Sequence, residues 1–316
     1  TSVWEKHSIY LLGGAFVLLV LVMVPGLGHE VNGSRRWIRL GFMNFQVSEA
    51  TRVMLLMYVA SYAVRRSDEL RSDFKSFMVP VGVLAAAALL LLGEPDFGAA
   101  TVLFATGLGV LFLAGARIVH LLVPVVAGSI GLAALAVVSP YRLRRLTGFL
   151  DPWGDPFDSG FQLVQSLIAI GRGEWLGVGL GASVQKLFYL PEAHTDFVFA
   201  VLAEEFGFLG VTVVVALFAL LVTRALMISR EAAQAGQAYQ SYVAAAIGIW
   251  LGLQAFVNIG VNMGLLPTKG LTLPLLSYGG SSMLVTLGWI GVLLRIHHDT
   301  QATGRVRVAP REARRR

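Results

Sequence analysis

The stretch FMVPVGVLAAAALLLLGEPDFGAATVLFATGLGVLFLAG, residues 77–115, decides the fold. It holds two continuous apolar runs, 77–92 and 99–115, on either side of GEPDFG. Each run, at 1.5 Å per residue, nearly crosses about 30 Å of hydrocarbon. A proline between two acids cannot sit in lipid, so 93–98 is a tight reversal and the stretch is a pair of membrane helices. The runs are continuous, whereas the strands of a membrane β-barrel alternate apolar and polar residues with period two.

Working outward, the same reading gives eight spans, at about 8–24, 47–64, 77–92, 99–115, 118–138, 197–223, 242–263 and 281–296. Composition agrees. Of 316 residues 56% are hydrophobic and 14% charged, against about 45–50% and 25% in a soluble domain. Mean hydropathy is +0.70. A secreted domain, a coiled coil and a disordered chain are excluded. There is no cysteine, hence no disulfide framework, thiolate metal site or cysteine nucleophile. The expected fold class is an all-α polytopic membrane protein, with a single transmembrane domain over 1–296 and a basic cytoplasmic tail over 297–316.

The net charge of +6 speaks to topology and anionic lipid, not to nucleic acid. With the first residues inside, 15 lysines and arginines fall on inner segments and 9 on outer ones. Five of those nine lie in one long loop, where the positive-inside rule has little force. Both ends of the chain are therefore expected in the cytoplasm. The chain opens at Thr1 without a signal-peptide pattern.

The long loop, about 139–196, carries Trp153, Phe157, Phe161, Trp175 and Tyr189 among glycines and prolines. Loops of this length are often functional. FQLVQSLIAIG (161–171) reads as an amphipathic helix at the membrane surface. The glycines at 171, 173, 177, 179 and 181 lack the strand and the GKS or GKT of a phosphate loop, and read instead as close-packed backbone.

Ionisable groups in membrane helices need a reason. Glu49 and Arg52 stand at i and i+3, where they share a helix face and can pair. Asp96 sits in the tight reversal, and His194, Thr195 and Asp196 precede an apolar run, so each suits a helix cap as well as a site. Glu204 and Glu205 follow about 12–14 Å deeper, and at least one of them must face a protein interior. Under the topology above, Glu49, Arg52, Asp96 and Asp196 fall near one outer face with the cations Arg35, Arg36, Lys186 and Lys269. One polar cleft bounded by lipid explains them together. Carboxylates beside cations suit a lipid-linked phosphate.

LPEAHTDFVFAVLAEEFGFLG (190–210) and LPTKGLTLPLLSYGGSS (266–282) resemble the SEDS family of shape, elongation, division and sporulation proteins. NGSRRWIRLG (32–41), EPDFGAATVLF (94–104), DPWGDPFDSGFQLVQS (151–166) and GASVQKL (181–187) agree, in order, over nearly the whole chain. The resemblance is closer to the cell-division type than to the elongation type. It implies a ten-helix fold, of which this chain supplies eight, so that two N-terminal helices are expected to precede it. It also implies polymerisation of lipid II, the undecaprenyl diphosphate-linked disaccharide peptide, at the outer face of the bacterial inner membrane, and localisation to the division septum. The implied partners are a class B penicillin-binding protein of FtsI type and the division proteins FtsQ, FtsL and FtsB.

By this resemblance Asp196 of HTDF matches the family's catalytic acid, and Asp96 and Glu49 match two further motif acids. QVSEATR departs from the family's PSELxK pattern, with Val47 for proline and Arg52 for lysine, a change that is not conservative in hydrogen bonding. The implied reaction is inverting glycosyl transfer, with Asp196 as base. Arg35, Arg36, Lys186 and Lys269 are candidate diphosphate contacts, and His194 lies beside them in the cleft reading. A divalent cation, Mg²⁺ or Mn²⁺, could bridge Asp196 or Asp96 and the diphosphate; no organic cofactor is expected. Two rival expectations are a flippase of the lipid-linked sugar and a non-catalytic division scaffold.

The charge bias carries one test. A reporter enzyme active only in the cytoplasm, fused near Gly173, is expected to be silent, and activity there would overturn the topology.

Overall fold

The computed structural model describes residues 2–31, 34–39, 41, 43–138, 148–158, 160–267 and 270–313. The eight expected spans each fall on a helix. They are α2 (Ser8–Met23), α3 (Val47–Arg65), α5 (Phe74–Gly93), α6 (Phe97–Leu113), α7 (Ile118–Val138), α9 (Val198–Gln234), α10 (Ala238–Asn262) and α11 (Gly280–Ala313). The others are α1 (Ser2–Lys6), α4 (Ser67–Ser72) and α8 (Phe161–Gly173). Four helices have the length and apolarity to cross a membrane, Phe74–Gly93, Val198–Gln234, Ala238–Asn262 and the first part of α11, Gly280–Ala302. Ser8–Met23, Phe97–Leu113 and Ile118–Gly131 are shorter apolar helices. α9 and α11 outrun their expected spans because polar residues continue the helix beyond the apolar run, through TRALMISREAAQ in α9.

The chain divides into two compact units, Thr1–Leu121 with Leu221–Leu251 and Gly280–Arg316, and Leu122–Leu220 with Gly252–Gly279. In the first, α3 is the most buried helix, covering Leu55, Leu56, Val59, Ala60 and Ala63. It packs on α2 and α6, with the Ser8 hydroxyl donating to that of Ser61 at 3.0 Å. α5 and α6 form the expected antiparallel pair. Asp73 caps α5 through the amides of Lys75 and Ser76, and Asp96 caps α6 through Ala99 N at 3.1 Å. Between α2 and α3 the chain builds a small antiparallel sheet that the run-length reading left without an element. It comprises β1 (Gly28–Val31), β2 (Ser34–Arg39) and β3 (Asn44–Gln46) in that order, with Trp37 opposite Gln46 and Ile38 opposite Phe45. Alternation along β2 sends Arg35 and Arg36 to opposite faces.

In the second unit α8 is amphipathic, as expected, but its apolar face is covered by protein. Leu163, Val164 and Ala169 are buried, and the Ser166 hydroxyl donates to Asn262 O at 2.8 Å. Of the glycines expected to be close-packed, Gly173 and Gly177 are so, against α9, whereas a Cβ at Gly171, Gly179 or Gly181 would meet nothing within 4 Å. At Gly207 (φ 62°, ψ −162°) α9 leaves helical geometry. In an unbroken helix the amides of 208 and 209 would donate to the carbonyls of 204 and 205. Here Phe208 N donates to Glu174 O (2.8 Å) and Leu209 N to Trp175 O (3.2 Å). In exchange, Glu204 O accepts from Val178 N (2.9 Å) and Glu205 O from Gly179 N (3.1 Å). Four backbone groups that would each cost several kcal/mol unpaired in a membrane are thus satisfied by the loop. Glycines permit the approach: a Cβ at Gly173 would lie 1.9 Å from Ala203 O, and one at Gly177 2.1 Å from Glu205 O.

Gly207 is the position to test. Its φ/ψ are essentially confined to glycine, and an added Cβ would lie 2.4 Å from Gly177 N. Gly207→Ala should destabilise by more than the order of 1–3 kcal/mol that the backbone conformation alone costs. Gly13→Ala, where a Cβ meets nothing within 4 Å, should be neutral or stabilising. Thermal unfolding of the purified variants in detergent measures both.

Candidate active site

In the first unit the start of α3 gathers most of the expected residues. Glu49 and Arg52 form an ion pair at 3.4 Å with side chains only 5% and 2% exposed. The Arg52 guanidinium also lies over the Trp250 ring, 5.4 Å from its centroid, so an aromatic face replaces part of its lost hydration. Asp96 is buried. While Oδ1 caps α6, Oδ2 accepts from the Ser48 hydroxyl (3.3 Å) and Gln46 Nε2 (3.4 Å), so one carboxylate joins the α5–α6 turn to the start of α3. Ser281 Oγ accepts from Gln46 N at 3.2 Å, bringing the start of α11 to the same place.

Arg36 reaches from β2 to that turn, donating from Nε to Glu94 O at 3.0 Å and from Nη2 to Pro95 O. Arg35, on the opposite face, is exposed and pairs with Glu30 at 3.1 Å. Glu94 is the unexpected member. Both its carboxyl oxygens are buried without a hydrogen-bond partner among the described residues. Burial pushes this carboxyl up to about 8, Asp96 adds to the rise and Arg36 opposes it. At neutral pH it is mostly protonated, which is how an acid survives there.

In the second unit Asp196 is half-buried at the entrance to α9, and its backbone is held from three directions. Its carbonyl accepts from Asn258 Nδ2 (2.8 Å) and Asn262 Nδ2 (3.0 Å), which stand one turn apart on α10. Thr195 O accepts from the Ser277 hydroxyl, and His194 O from Tyr278 N at 2.8 Å. Asn262 Oδ1 also accepts from Ala200 N, fixing the first turn of α9. The carboxylate faces Gly270, where an added Cβ would lie 3.1 Å from Oδ2. The His194 side chain is exposed.

The adjacent glutamates of α9 organise the loop that leads to this turn. Glu204 is fully buried and accepts from the Ser183 hydroxyl, the amides of Val184 (3.2 Å) and Gln185 (3.3 Å), and Arg172 Nη1 (3.3 Å). It thereby caps the single π-helical turn Gln185–Tyr189. Glu205 pairs with Lys186 at 2.6 Å.

The structure therefore brings Glu49, Arg52, Asp96 and Arg36 together in one unit, and places Asp196, His194 and Lys186 in the other. Lys269 lies outside the described residues. Asn258, Asn262, Ser277 and Gly270 were not singled out from sequence, although two asparagines at i and i+4 in an apolar helix are a readable signal. Among the described residues no three histidine or acidic side chains converge as a metal site.

Residues 1–302 match the family profile described as "Cell cycle protein", that of FtsW, RodA and SpoVE. The chain is 58% identical over 305 residues to the probable peptidoglycan glycosyltransferase FtsW of Thioalkalivibrio sulfidiphilus (strain HL-EbGR7), over 96% of this chain and 76% of that protein. Among solved structures it resembles a chain from work on "structural coordination of polymerization and crosslinking by a peptidoglycan synthase complex". That likeness has TM-score 0.78 and 31% identity, and covers 95% of this chain and 83% of the other. The rod shape determining protein RodA of Thermus thermophilus matches with TM-score 0.66 and 30% identity, over 94% and 79% of the two chains.

The buried pair generates a prediction. Removing one member strands the other, at a typical cost of about 3–5 kcal/mol. Glu49→Ala and Arg52→Ala should each lower stability in detergent by that order, and the double variant by clearly less than their sum. A double-mutant cycle with additive losses would argue against coupling.

Proposed function

The chain belongs to the cell cycle protein family of FtsW, RodA and SpoVE, the SEDS family, and on that premise we propose that it is a peptidoglycan glycosyltransferase acting in bacterial cell division. It is a multi-pass protein of the inner membrane. Its substrate is lipid II, which it polymerises into glycan strands. A sugar hydroxyl of the acceptor attacks an anomeric carbon whose leaving group is a polyprenyl diphosphate. Asp196 takes the hydroxyl's proton, and cations neutralise the departing diphosphate.

The observation that carries this assignment is how Asp196 is held. Asn258, Asn262, Ser277 and Tyr278 N fix the backbone of 194–196, and so set the position of the carboxylate, which is half-buried and faces Gly270. A base must be positioned before it is strong, because an aspartate with an ordinary pKa near 4 is weak. Within the first unit, Glu49, Arg52 and Asp96 keep the proposed role of shaping a polar pocket. Among the candidate diphosphate contacts, Lys186 serves only by exchanging its Glu205 partner for phosphate. Arg36 is committed to the α5–α6 turn and holds it in place. A Mg²⁺ or Mn²⁺ ion bridging to the diphosphate would rest on Asp196, because Asp96 spends both oxygens on the starts of α3 and α6.

In this reading both ends lie in the cytoplasm and the cleft faces the periplasm at the division septum. The working partner is a class B penicillin-binding protein of FtsI type, with FtsQ, FtsL and FtsB. Support for the partner is the likeness to a chain of a synthase complex. Support for the orientation is the charge bias.

The test is Asp196→Asn, supplied with labelled lipid II and the penicillin-binding partner. Asparagine keeps the shape and caps a helix as well as aspartate. It loses the proton acceptor, so polymerisation should fall by about 10²–10⁴ while membrane abundance and partner co-purification stay near normal. A variant that polymerises within a few-fold of the parent sinks the assignment.

A further inference from the structure

At the end of α9 opposite the one that Asp196 precedes, the first unit holds a cavity of about 510 Å³ where α9 turns into α10. Its polar lining is Ser229, Arg230, Ser241 and Tyr242, and it contains no carboxylate. The Ser229 hydroxyl donates to Ser241 O at 2.8 Å and lies 3.2 Å from the Ser241 hydroxyl, which ties the two helices together at this wall. Among the described residues the Arg230 guanidinium has no hydrogen-bond or ion-pair partner. The neighbouring Glu231 does not line the cavity and lies 3.5 Å from His297 Nδ1. Ala233, Gly236 and Ala238 form a wall without bulk, which leaves room for a group of several heavy atoms.

The other border of the cavity is apolar. Leu113 and Leu226 line it and are 49% and 40% exposed. They belong to apolar helices, and the cavity lies beside the polar residues that follow the apolar run of α9. A fork of guanidinium donors, the Ser241 and Tyr242 hydroxyls, no acid and an apolar flank are together complementary to a phosphate carrying acyl chains. Basic pockets between membrane helices hold lipid headgroups in this way.

We propose that this cavity binds the phosphate of an anionic membrane lipid, with Arg230 as the charge contact, Ser241 and Tyr242 as hydroxyl donors, and Leu113 and Leu226 against the acyl chains. The proposal concerns a site separate from glycosyl transfer and stands or falls without it.

The full chain, purified in detergent, is titrated with phosphatidylglycerol, with phosphatidylcholine and with inorganic phosphate, following its melting temperature and the bound lipid by native mass spectrometry. Phosphatidylglycerol should bind and stabilise, phosphatidylcholine much less, and inorganic phosphate should not substitute. Arg230→Gln should weaken phosphatidylglycerol binding by about tenfold or more, the loss expected for a charge-assisted hydrogen bond. Ala233→Leu, an exposed position whose larger side chain fills the cavity, should weaken it while leaving Arg230 and the lipid-free melting temperature unchanged. Equal binding of the two lipids, equal stabilisation by inorganic phosphate, or unaltered affinity in Ala233→Leu overturns the proposal.

Discussion

Four backbone hydrogen bonds at Gly207 tie the loop at 174–179 to α9 in the second unit. A helix crossing a membrane ordinarily satisfies its own amides and carbonyls, and breaking it leaves polar groups that lipid cannot serve. In this chain the loop at 174–179 supplies the missing partners one for one. The break is therefore tolerated only with the loop in place, and the loop is ordered only against the break. From that junction the two glutamates follow. Glu204 satisfies the amides that open the π-helical turn, and Glu205 holds Lys186. The residues from Gly173 to Tyr189 are in this way pinned to one membrane helix, and they lead directly into the turn that carries Asp196.

The first unit solves a related problem with side chains. Polar groups at the start of α3 are buried, and nearly all are answered locally. Arg52 has Glu49 and an indole face, Asp96 has two helix starts, and the carbonyls of the α5–α6 turn have Arg36. Glu94 is answered differently, by keeping its proton. A buried ion pair adds little net stability over apolar packing, so its retention points to shape and charge placement rather than to strength.

Much of this was legible in the chain. Apolar run length located all eight of these helices, four of which have the length and apolarity to cross a membrane. The i, i+3 spacing of Glu49 and Arg52 gave their pairing, and adjacency within an apolar run gave the burial of at least one of Glu204 and Glu205, both of which are buried. The sheet over 28–46 was not legible, since its strands are three to six residues long and too short for a pattern. Nor was the role of Gly207. The glycines at 173 and 177 read as close-packed, but the surface they pack on lies some thirty residues downstream, and no local pattern names it. Arg35, Arg36 and Lys186, read as candidate diphosphate contacts, are engaged within the protein, because sequence gives the sign of a charge and not its nearest neighbour. The asparagines behind Asp196 act through backbone, which leaves no complementary residue to find.

The exchange at Gly207 also orders events during biosynthesis. When the segment 198–234 first enters the bilayer it carries two adjacent glutamates and an unsupported bend. Until residues 174–179 fold back, the backbone groups around Gly207 in this otherwise strongly apolar segment lack their partners. Integration of α9 and docking of the preceding loop are thus one step in energetic terms, though the ribosome delivers the loop first. A chain whose loop fails to dock would present bare carboxylates and amides inside the membrane. Those are features by which membrane quality control can tell an unfinished polytopic protein from a finished one.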